Sequence, residues 1–177
     1  MDKHPLETFR FCPKCGFKHF IVHDFKSKRC DDCGFVYYFN TAAAVAAFIF
    51  DKNGRLLVAR RAHEPAKGAL DLPGGFVDLR ESGEEAIERE IKEETGLQVS
   101  RPRYLFSIPN IYNYSDLEVH TLDFFYAFEV NDTTPLHADD DVSELFFLAL
   151  AEIRAEDFGL WSIRQAVERL KKDKMIT

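Results

Sequence analysis

Four cysteines near the amino terminus have the spacing of a metal site. They form two Cys-x-x-Cys pairs, Cys12 with Cys15 and Cys30 with Cys33, and they are all the cysteines of the chain. Two intervening residues let both thiolates of a tight turn face one ion, and the glycine after each pair gives that turn the backbone freedom it needs. Fourteen residues separate the pairs, a distance that a hairpin of modest length can span. The pattern predicts a structural Zn²⁺ site, because four sulfur ligands leave no coordination position for water.

A disulfide framework is the alternative use of these cysteines. Residues 1–10 contain no apolar run, so the sequence does not support a secretory segment. The longest apolar run, residues 42–50, is far shorter than the roughly 20 residues that span a bilayer. We therefore expect a cytoplasmic protein without a membrane segment, in a reducing compartment where thiols stay reduced or bind metal.

A second set of polar residues lies in the acidic segment 82–95. This segment has no proline, has no glycine after Gly83, and is followed by Gly96, which predicts a helix with a glycine stop.

Two glutamates share the apolar face of this helix. At about 100° per residue, with Glu90 at zero, the isoleucines Ile87 and Ile91 fall at about 60° and 100°. Glu94 falls between them and Glu90, at about 40°, and Glu93 lies at about −60°. A solvated acidic helix would place these carboxylates opposite the isoleucines, and inward carboxylates repel one another unless something neutralises them. The pattern therefore predicts a bound divalent cation. The alternative, a solvent-exposed charged face, explains only the remaining glutamates of the helix.

Three neighbouring residues would complete such a site. Gly74 and Gly75 let the backbone approach the helix closely and offer carbonyl oxygen to a hard cation. Arg89 lies near Glu93 in azimuth and can fork onto a glutamate, which would fix the orientation of that carboxylate.

The remaining patterns describe the elements that must position these residues. Asn53-Gly54 between two apolar runs predicts a β-hairpin, and residues 70–78 predict a loop that feeds a short strand. Further along the chain, we expect strands at 104–108, 119–130 and 145–148, a polar surface loop at 131–141, and a helix at 160–172. Strands on both sides of one central helix argue for an α/β sandwich.

Length and charge limit the class of protein. The chain has 177 residues, which suits one domain, or one domain with a small appendage, and 46% of the residues are hydrophobic, enough for a packed core. Its 23 basic and 30 acidic residues give a net charge of −7, which argues against bulk attraction to nucleic acid. Five apolar residues between the cysteine pairs would form the core of the appendage: Phe17, Phe20, Ile21, Val22 and Phe25.

The segment from Gly75 to Leu97 resembles the Nudix box of the Nudix hydrolases. Gly75, Glu81 and the run Arg89-Glu90-Ile91-Lys92-Glu93-Glu94-Thr95-Gly96-Leu97 match every defined position of this 23-residue motif. The resemblance extends over residues 40–170 and implies an α/β/α Nudix sandwich with a mixed sheet, preceded by a small zinc ribbon. We accordingly expect a zinc ribbon at residues 1–39 and a Nudix domain at residues 40–177 that cleaves a nucleoside diphosphate linked to another moiety.

The resemblance implies a role for each residue of the box. Glu90 and Glu94 would be the main Mg²⁺ or Mn²⁺ ligands, and Glu93 a further ligand or the base that takes a proton from water. The Gly75 carbonyl would be the backbone ligand. Glu81 would hold the loop and the helix start, so that it is structural, as are Gly74 and Gly96.

Many members of the family add an acidic metal ligand from a late loop. Asp141 falls at about that point of this sequence, as do its neighbours Asp139, Asp140 and Glu144.

The resemblance also bears on the substrate. A zinc ribbon directly ahead of a Nudix domain resembles the NADH pyrophosphatases, which favours NADH or another dinucleotide. A tyrosine at the distance of Tyr112 and Tyr114 past the box resembles members that act on dinucleoside polyphosphates. These tyrosines either stack on a base or belong to the core at a strand end. Arg60 is a candidate phosphate contact, with Arg61 and Lys67, although all three fit solvated loop charge as well.

Two functions of different classes follow. The first is a metal-dependent nucleotide pyrophosphatase that acts on a small-molecule nucleotide: an NADH/NAD-type dinucleotide, ADP-ribose or a dinucleoside polyphosphate. The second is a non-catalytic nucleotide sensor, or a module whose zinc ribbon binds nucleic acid. Release of a monophosphate under Mg²⁺ would support the first function, and salt-sensitive binding to RNA or DNA without turnover would support the second. The sequence leaves open whether the ribbon mediates a homodimer.

Overall fold

Residues 3–115, 117–139 and 142–173 are described by the structure, a computed structural model. The chain forms two units, Met1–Thr41 and Ala42–Thr177. Within the described ranges, none of the helices has the length and apolar character needed to traverse a bilayer.

The first unit is built on a three-stranded antiparallel sheet. Its strands are β1 (Phe20–Asp24), β2 (Ser27–Cys30) and β3 (Val36–Tyr38), in that order. Phe20 forms a buried cluster with Cys12 and Cys30, and two further phenylalanines, Phe17 and Phe35, pack against this cluster.

The prediction that Ile21, Val22 and Phe25 would join this core is wrong. Their exposed fractions are 49%, 57% and 80%. A unit of this length has too little chain to cover all the apolar side chains of its sheet, so Phe20 is buried with the cysteines while these three stay at the surface.

The second unit contains a six-stranded mixed sheet. Its strands are β4 (Ala42–Asp51), β5 (Leu56–Arg61), β6 (Leu70–Asp71), β7 (Arg103–Tyr114), β8 (Leu117–Val130) and β9 (Val142–Leu148). They lie in the order β6-β5-β4-β8-β7, with β9 paired to β5. The central strands β4 and β8 run parallel over ten residue pairs, from Ala42 opposite Thr121 to Asp51 opposite Val130, and the other pairs are antiparallel.

The predicted Asn53-Gly54 hairpin is confirmed. Gly54 adopts a φ of 70°, and the Asp51 carboxylate accepts hydrogen bonds from the backbone N–H groups of Asn53 and Arg55, both at 2.9 Å. Beyond the single pair of Phe50 with Leu56, β4 and β5 diverge. This leaves one edge of the first half of β4 open to another segment.

One helix covers each face of this sheet. Helix α1 (Gly83–Thr95) buries Ala86, Ile87 and Ile91 against one face, and helix α2 (Trp161–Asp173) buries Ile163, Ala166, Val167 and Leu170 against the other. The α/β/α sandwich with a mixed sheet is therefore confirmed.

The β7–β8 hairpin extends further than the sequence predicts. The predicted strand at 104–108 continues to Tyr114 because Pro109 lies in β7, an edge strand, where a residue without an N–H group is tolerated. The additional residues of β7 bring Asn110, Tyr112 and Tyr114 into the wall of a cavity.

Candidate active site and zinc site

The four cysteines converge at the ends of two similar turns. In each turn the backbone N–H of the first cysteine donates to a phenylalanine carbonyl, and the glycine N–H donates back to that cysteine. The Sγ atoms of Cys12 and Cys33 are 3.8 Å apart, those of Cys15 and Cys30 are 3.6 Å apart, and all four lie within 4.8 Å of one another. Four sulfurs about 2.3 Å from a tetrahedral zinc would be separated by about 3.8 Å, so the cluster fits Zn²⁺.

Ionisation of these thiols is unequal without a cation. Burial disfavours the Cys12 thiolate, but the backbone N–H groups of Cys15 and Lys14 outweigh burial and lower the pKa of Cys12 to about 7. The Phe17 N–H favours the Cys15 thiolate, yet burial and the neighbouring sulfurs raise the pKa of Cys15 to about 12. Ionisation of one thiol in the cluster thus disfavours ionisation of the next. A divalent cation bound to the sulfurs would remove this repulsion.

Local sequence explains where α1 begins and ends. The Ser82 hydroxyl accepts the Glu85 N–H, and the Glu85 carboxylate accepts the Ser82 N–H, which forms a capping box. Gly96 ends the helix in the left-handed conformation, with φ of 72°, and donates to the Lys92 carbonyl. A Cβ at Gly96 would overlap His137.

Two adjacent glycines bring the backbone against two carboxylates of α1. The Gly74 N–H donates to Glu94 Oε2 at 3.0 Å. A Cβ built on Gly75 would lie 2.5 Å from Glu90 Oε1, so any side chain at this position would displace that carboxylate. The Gly75 carbonyl accepts the Val45 N–H at 2.8 Å, which leaves its second lone pair available to a cation.

The glycine loop runs along the open edge of β4 like an additional strand. Ala47 N–H donates to the Pro73 carbonyl at 2.9 Å and Val77 N–H to the Ala43 carbonyl at 3.0 Å. Gly74 has a φ of 152°, and a Cβ there would overlap the Val45 carbonyl oxygen. Only glycine permits this close approach.

Arg89 is the centre of the charge network. Its Nε and Nη2 atoms fork onto the two oxygens of Glu81, both at 2.9 Å, and its Nη1 donates to Glu90 at 2.8 Å and Glu93 at 3.0 Å. The fork anticipated for Arg89 is therefore made to Glu81. The second oxygen of Glu81 also accepts the Asp78 N–H, which ties the loop to the helix. Hydrogen bonds from Arg89 and Asp78 hold the pKa of Glu81 below its usual range.

The box glutamates differ in burial. Glu94 is only 7% exposed, and the side chain of Glu90 is 14% exposed, as their inward azimuth predicts. Burial raises the pKa of Glu90, and the Arg89 guanidinium offsets only part of that effect. The side chain of Glu93 is half exposed.

These donors fit a hard divalent cation in type. Carboxylates and a backbone carbonyl are the ligands that Mg²⁺ and Mn²⁺ prefer. The Glu90 carboxylate lies against Gly75, and the Glu94 carboxylate accepts the Gly74 N–H. Arg89 Nη1 donates to both Glu90 and Glu93. In the described part of the chain, the cysteines are the only group of three or more Cys, His, Asp or Glu residues whose ligand atoms all lie within 4.8 Å.

The expected acidic ligand of the late loop, Asp141, lies outside the described residues, as does Asp140. The segment that precedes them contacts the end of α1, since the Asp139 N–H donates to the Glu94 carbonyl at 3.2 Å. Glu144 is paired with Arg60 on the neighbouring strands β9 and β5.

A cavity of about 460 Å³ opens beside Glu94 and the glycine loop. Tyr112 and Tyr114 both line it, and Tyr112 meets Phe76 edge to face with ring centroids 5.9 Å apart. Arg60 does not line it, because its Nε donates to Glu144 and its Nη1 to the Gly68 carbonyl. Strand alternation places Arg61 in the cavity wall instead, paired with Asp71 at 2.5 Å.

Sequence reasoning missed the polar floor of this cavity. Asp71, Thr121 and Asp123 are each 7% exposed or less. Asp71 lies on β6, whereas Thr121 and Asp123 lie on β8, far along the sequence from it. An aspartate beside apolar residues in each strand was the only available signal. Burial raises the pKa of Asp71, which the Arg61 guanidinium opposes.

Comparison with known proteins extends these observations. The NUDIX domain model matches residues 40–170. The NAD-capped RNA hydrolase NudC of Vibrio atlanticus is 32% identical over 106 residues, which are 60% of this chain and 39% of that protein, so the match spans about two-fifths of that relative's length.

Two solved structures are similar in fold. The NUDIX hydrolase from Nitrosomonas europaea has a TM-score of 0.74 at 20% identity, and the match covers 93% of this chain and 92% of the other. The MutT NUDIX hydrolase from Burkholderia pseudomallei has a TM-score of 0.63 at 26% identity, covering 74% of this chain and 98% of the other. Because the family model spans most of the chain and the glycine loop and glutamate helix lie within it, the chain belongs to the NUDIX domain family.

Proposed function

We propose that this protein is a metal-dependent nucleotide pyrophosphatase. Its substrate would be a nucleoside diphosphate derivative, namely an NADH/NAD-type dinucleotide, ADP-ribose or a dinucleoside polyphosphate. The observation that carries the proposal is the placement of the Glu90 and Glu94 carboxylates against the Gly74–Gly75 backbone, at the edge of a nucleotide-sized cavity.

Glu90, Glu93, Glu94 and the Gly75 carbonyl would hold the ion, with Asp141 as a further ligand. When bound, Mg²⁺ or Mn²⁺ polarises a phosphoryl oxygen, neutralises the charge of the diphosphate and lowers the pKa of a bound water. The carboxylates alone would repel the substrate, so the acidic site requires the cation.

The chain's own residues would orient and deprotonate the attacking water. Arg89 fixes the Glu90 and Glu93 carboxylates through one nitrogen, Nη1, which keeps both side chains in a defined rotamer. Either Glu90 or Glu93 takes the proton from water, a role that gives about 10²- to 10⁴-fold in rate. Glu81 holds Arg89 in turn, so its contribution is positional.

The name of the NudC relatives favours an NAD-type substrate. Tyr112 and Tyr114 supply aromatic surface in the cavity where a base would stack. The four cysteines would hold Zn²⁺ for structure alone, which suits a cytoplasmic protein whose thiols stay reduced.

The proposal is tested by Glu94→Gln in a hydrolysis screen of NADH, NAD⁺, ADP-ribose and dinucleoside polyphosphates with Mg²⁺ or Mn²⁺. Loss of a metal ligand should lower kcat by at least about 100-fold, since even hydrogen-bonding partners of metal ligands cost about 10- to 100-fold. Glu88→Gln changes a glutamate on the far side of α1 and should retain wild-type turnover. Full activity of Glu94→Gln at saturating Mg²⁺ would contradict the proposal, as would a wild type that binds these nucleotides without releasing a monophosphate.

A further inference from the structure

A hydrogen-bonded cluster of polar side chains lies in the cavity wall, apart from the glutamates of α1. Its centre is Asp123, which is 7% exposed. Asp123 accepts hydrogen bonds from Thr121 Oγ1 at 2.6 Å, Ser162 Oγ at 2.6 Å and Asn110 Nδ2 at 3.0 Å. Three donors satisfy the buried carboxylate, so Asp123 acts as an anchor for its neighbours.

Asn110 is the member of this cluster that is half-buried. In the β7–β8 register Asn110 lies opposite Thr121, so both side chains project to the face that carries Asp123. The Asn110 amide is oriented with its nitrogen toward Asp123, because its Nδ2 donates to Asp123 Oδ2. Within the described ranges, Asp123 is the only side chain that pairs with this amide. The Asn110 carbonyl oxygen and its second N–H therefore remain available at the cavity wall.

The surroundings of Asn110 suit a flat ring. Tyr112 is two residues along the same strand face, with Phe76 against its edge, and the apolar side chains of Leu160 and Ile163 line the same cavity. A volume of about 460 Å³ lies within the roughly 300–1,000 Å³ typical of small-molecule sites. A planar heterocycle between these groups would present its edge to the Asn110 amide.

We propose that Asn110, held in place by Asp123, recognises the base of the bound nucleotide through an adjacent N–H donor and acceptor. Adenine offers its N6 amino group beside a ring nitrogen, a pair that an asparagine amide matches with two hydrogen bonds. The carboxamide of nicotinamide offers the same combination. This inference takes from the proposed function that the substrate is a nucleotide. It adds a residue that determines specificity and lies outside the Nudix box.

The test measures equilibrium binding of monophosphates, which have no pyrophosphate bond to hydrolyse. AMP is compared with purine riboside 5′-monophosphate, which lacks the N6 amino group, and nicotinamide mononucleotide with nicotinic acid mononucleotide, which lacks the amide N–H. Wild type should prefer the amino or amide member of one pair by about 5- to 150-fold, the range of a good bidentate contact. The pair that shows the preference identifies the ring that this site holds.

Asn110→Ala should abolish that preference, so that the two members of the pair bind about equally. Asn113→Ala, a control at an exposed neighbouring position, should keep the preference. Asn110→Ser, which retains a hydroxyl for the cluster but no planar amide, should lose the preference as well, and thermal unfolding confirms that each variant is folded. A preference that persists in Asn110→Ala and Asn110→Ser overturns the inference, as does a wild type that discriminates neither pair. Hydrolysis without discrimination would leave the pyrophosphatase proposal standing, whereas discrimination without hydrolysis would leave only the role of Asn110.

Discussion

Replacing Arg89 with glutamine tests how the charges of the box are balanced. Arg89 donates five hydrogen bonds: two to Glu81, one each to Glu90 and Glu93, and one to the Phe76 carbonyl at 3.1 Å. The side chains of Glu81 and Glu90 are 15% and 14% exposed, so Arg89→Gln leaves two largely buried carboxylates without their counter-charge.

The expected loss of stability lies between two limits. Removing one partner of a buried ion pair costs about 3–5 kcal/mol, and an exposed pair contributes less than about 1 kcal/mol. Because the Arg89 side chain is 27% exposed, we expect a loss of about 2–3 kcal/mol in the free energy of unfolding. For a domain of this size that corresponds to a Tm lower by roughly 6–10 °C.

The assay is thermal unfolding without divalent metal, at neutral pH and again near pH 3. Glu81 has a lowered pKa, so its contribution is present above its unfolded pKa and is lost as the pH falls through its folded pKa. The difference between wild type and Arg89→Gln should therefore be largest at neutral pH and shrink in acid. Lys92→Gln removes an exposed positive charge from the same helix and should leave the Tm nearly unchanged. Equal Tm values for wild type and Arg89→Gln at neutral pH would refute this account, and so would a difference that does not shrink in acid.

Two further predictions concern the glycine loop and the ribbon. Gly74→Ala should lower both Tm and turnover, because the added Cβ would overlap the Val45 carbonyl oxygen. Gly68 also has a positive φ, but a Cβ there has no neighbour within 4 Å. Gly68→Ala should therefore lower the free energy of unfolding by only about 1 kcal/mol, through backbone strain. Equal melting temperatures for the two variants would contradict the close approach of the loop to β4. The purified protein should carry one Zn²⁺ per chain by elemental analysis, and Cys33→Ser should carry much less. A fully reduced wild type that takes up no zinc from a zinc-replete medium would count against the ribbon assignment.

The sequence alone predicts those structural features whose determinants are local in the chain. Ser82 and Gly96 delimit α1 within the segment itself, and the azimuths of Glu90 and Glu94 follow from helix geometry alone. The cysteine spacing is equally local, because two turns of similar backbone geometry bring the sulfurs together.

Features that depend on sheet assembly could not be predicted in this way. Asp123 and Ser162 are 39 residues apart and meet because β8 and α2 pack together, so neither residue carries a recognisable spacing. The length of β7 depends on its place at the sheet edge, which decides whether Pro109 is tolerated. The exposure of Phe25 follows from the small size of the first unit, since hydrophobicity alone does not show which apolar residues a short segment can cover.

The docking of the glycine loop on β4 determines how rigid the Gly75 carbonyl oxygen, the proposed backbone ligand of the cation, is. Two N–H groups of a central strand, at Val45 and Ala47, have their partners in this loop, so moving the loop would leave both donors unsatisfied in the sheet. The Gly75 carbonyl is consequently positioned by the framework of the sheet, although the segment that carries it has the composition of a mobile connection. Preorganisation of this kind lets a metal ion bind without first paying the entropy of ordering a loop.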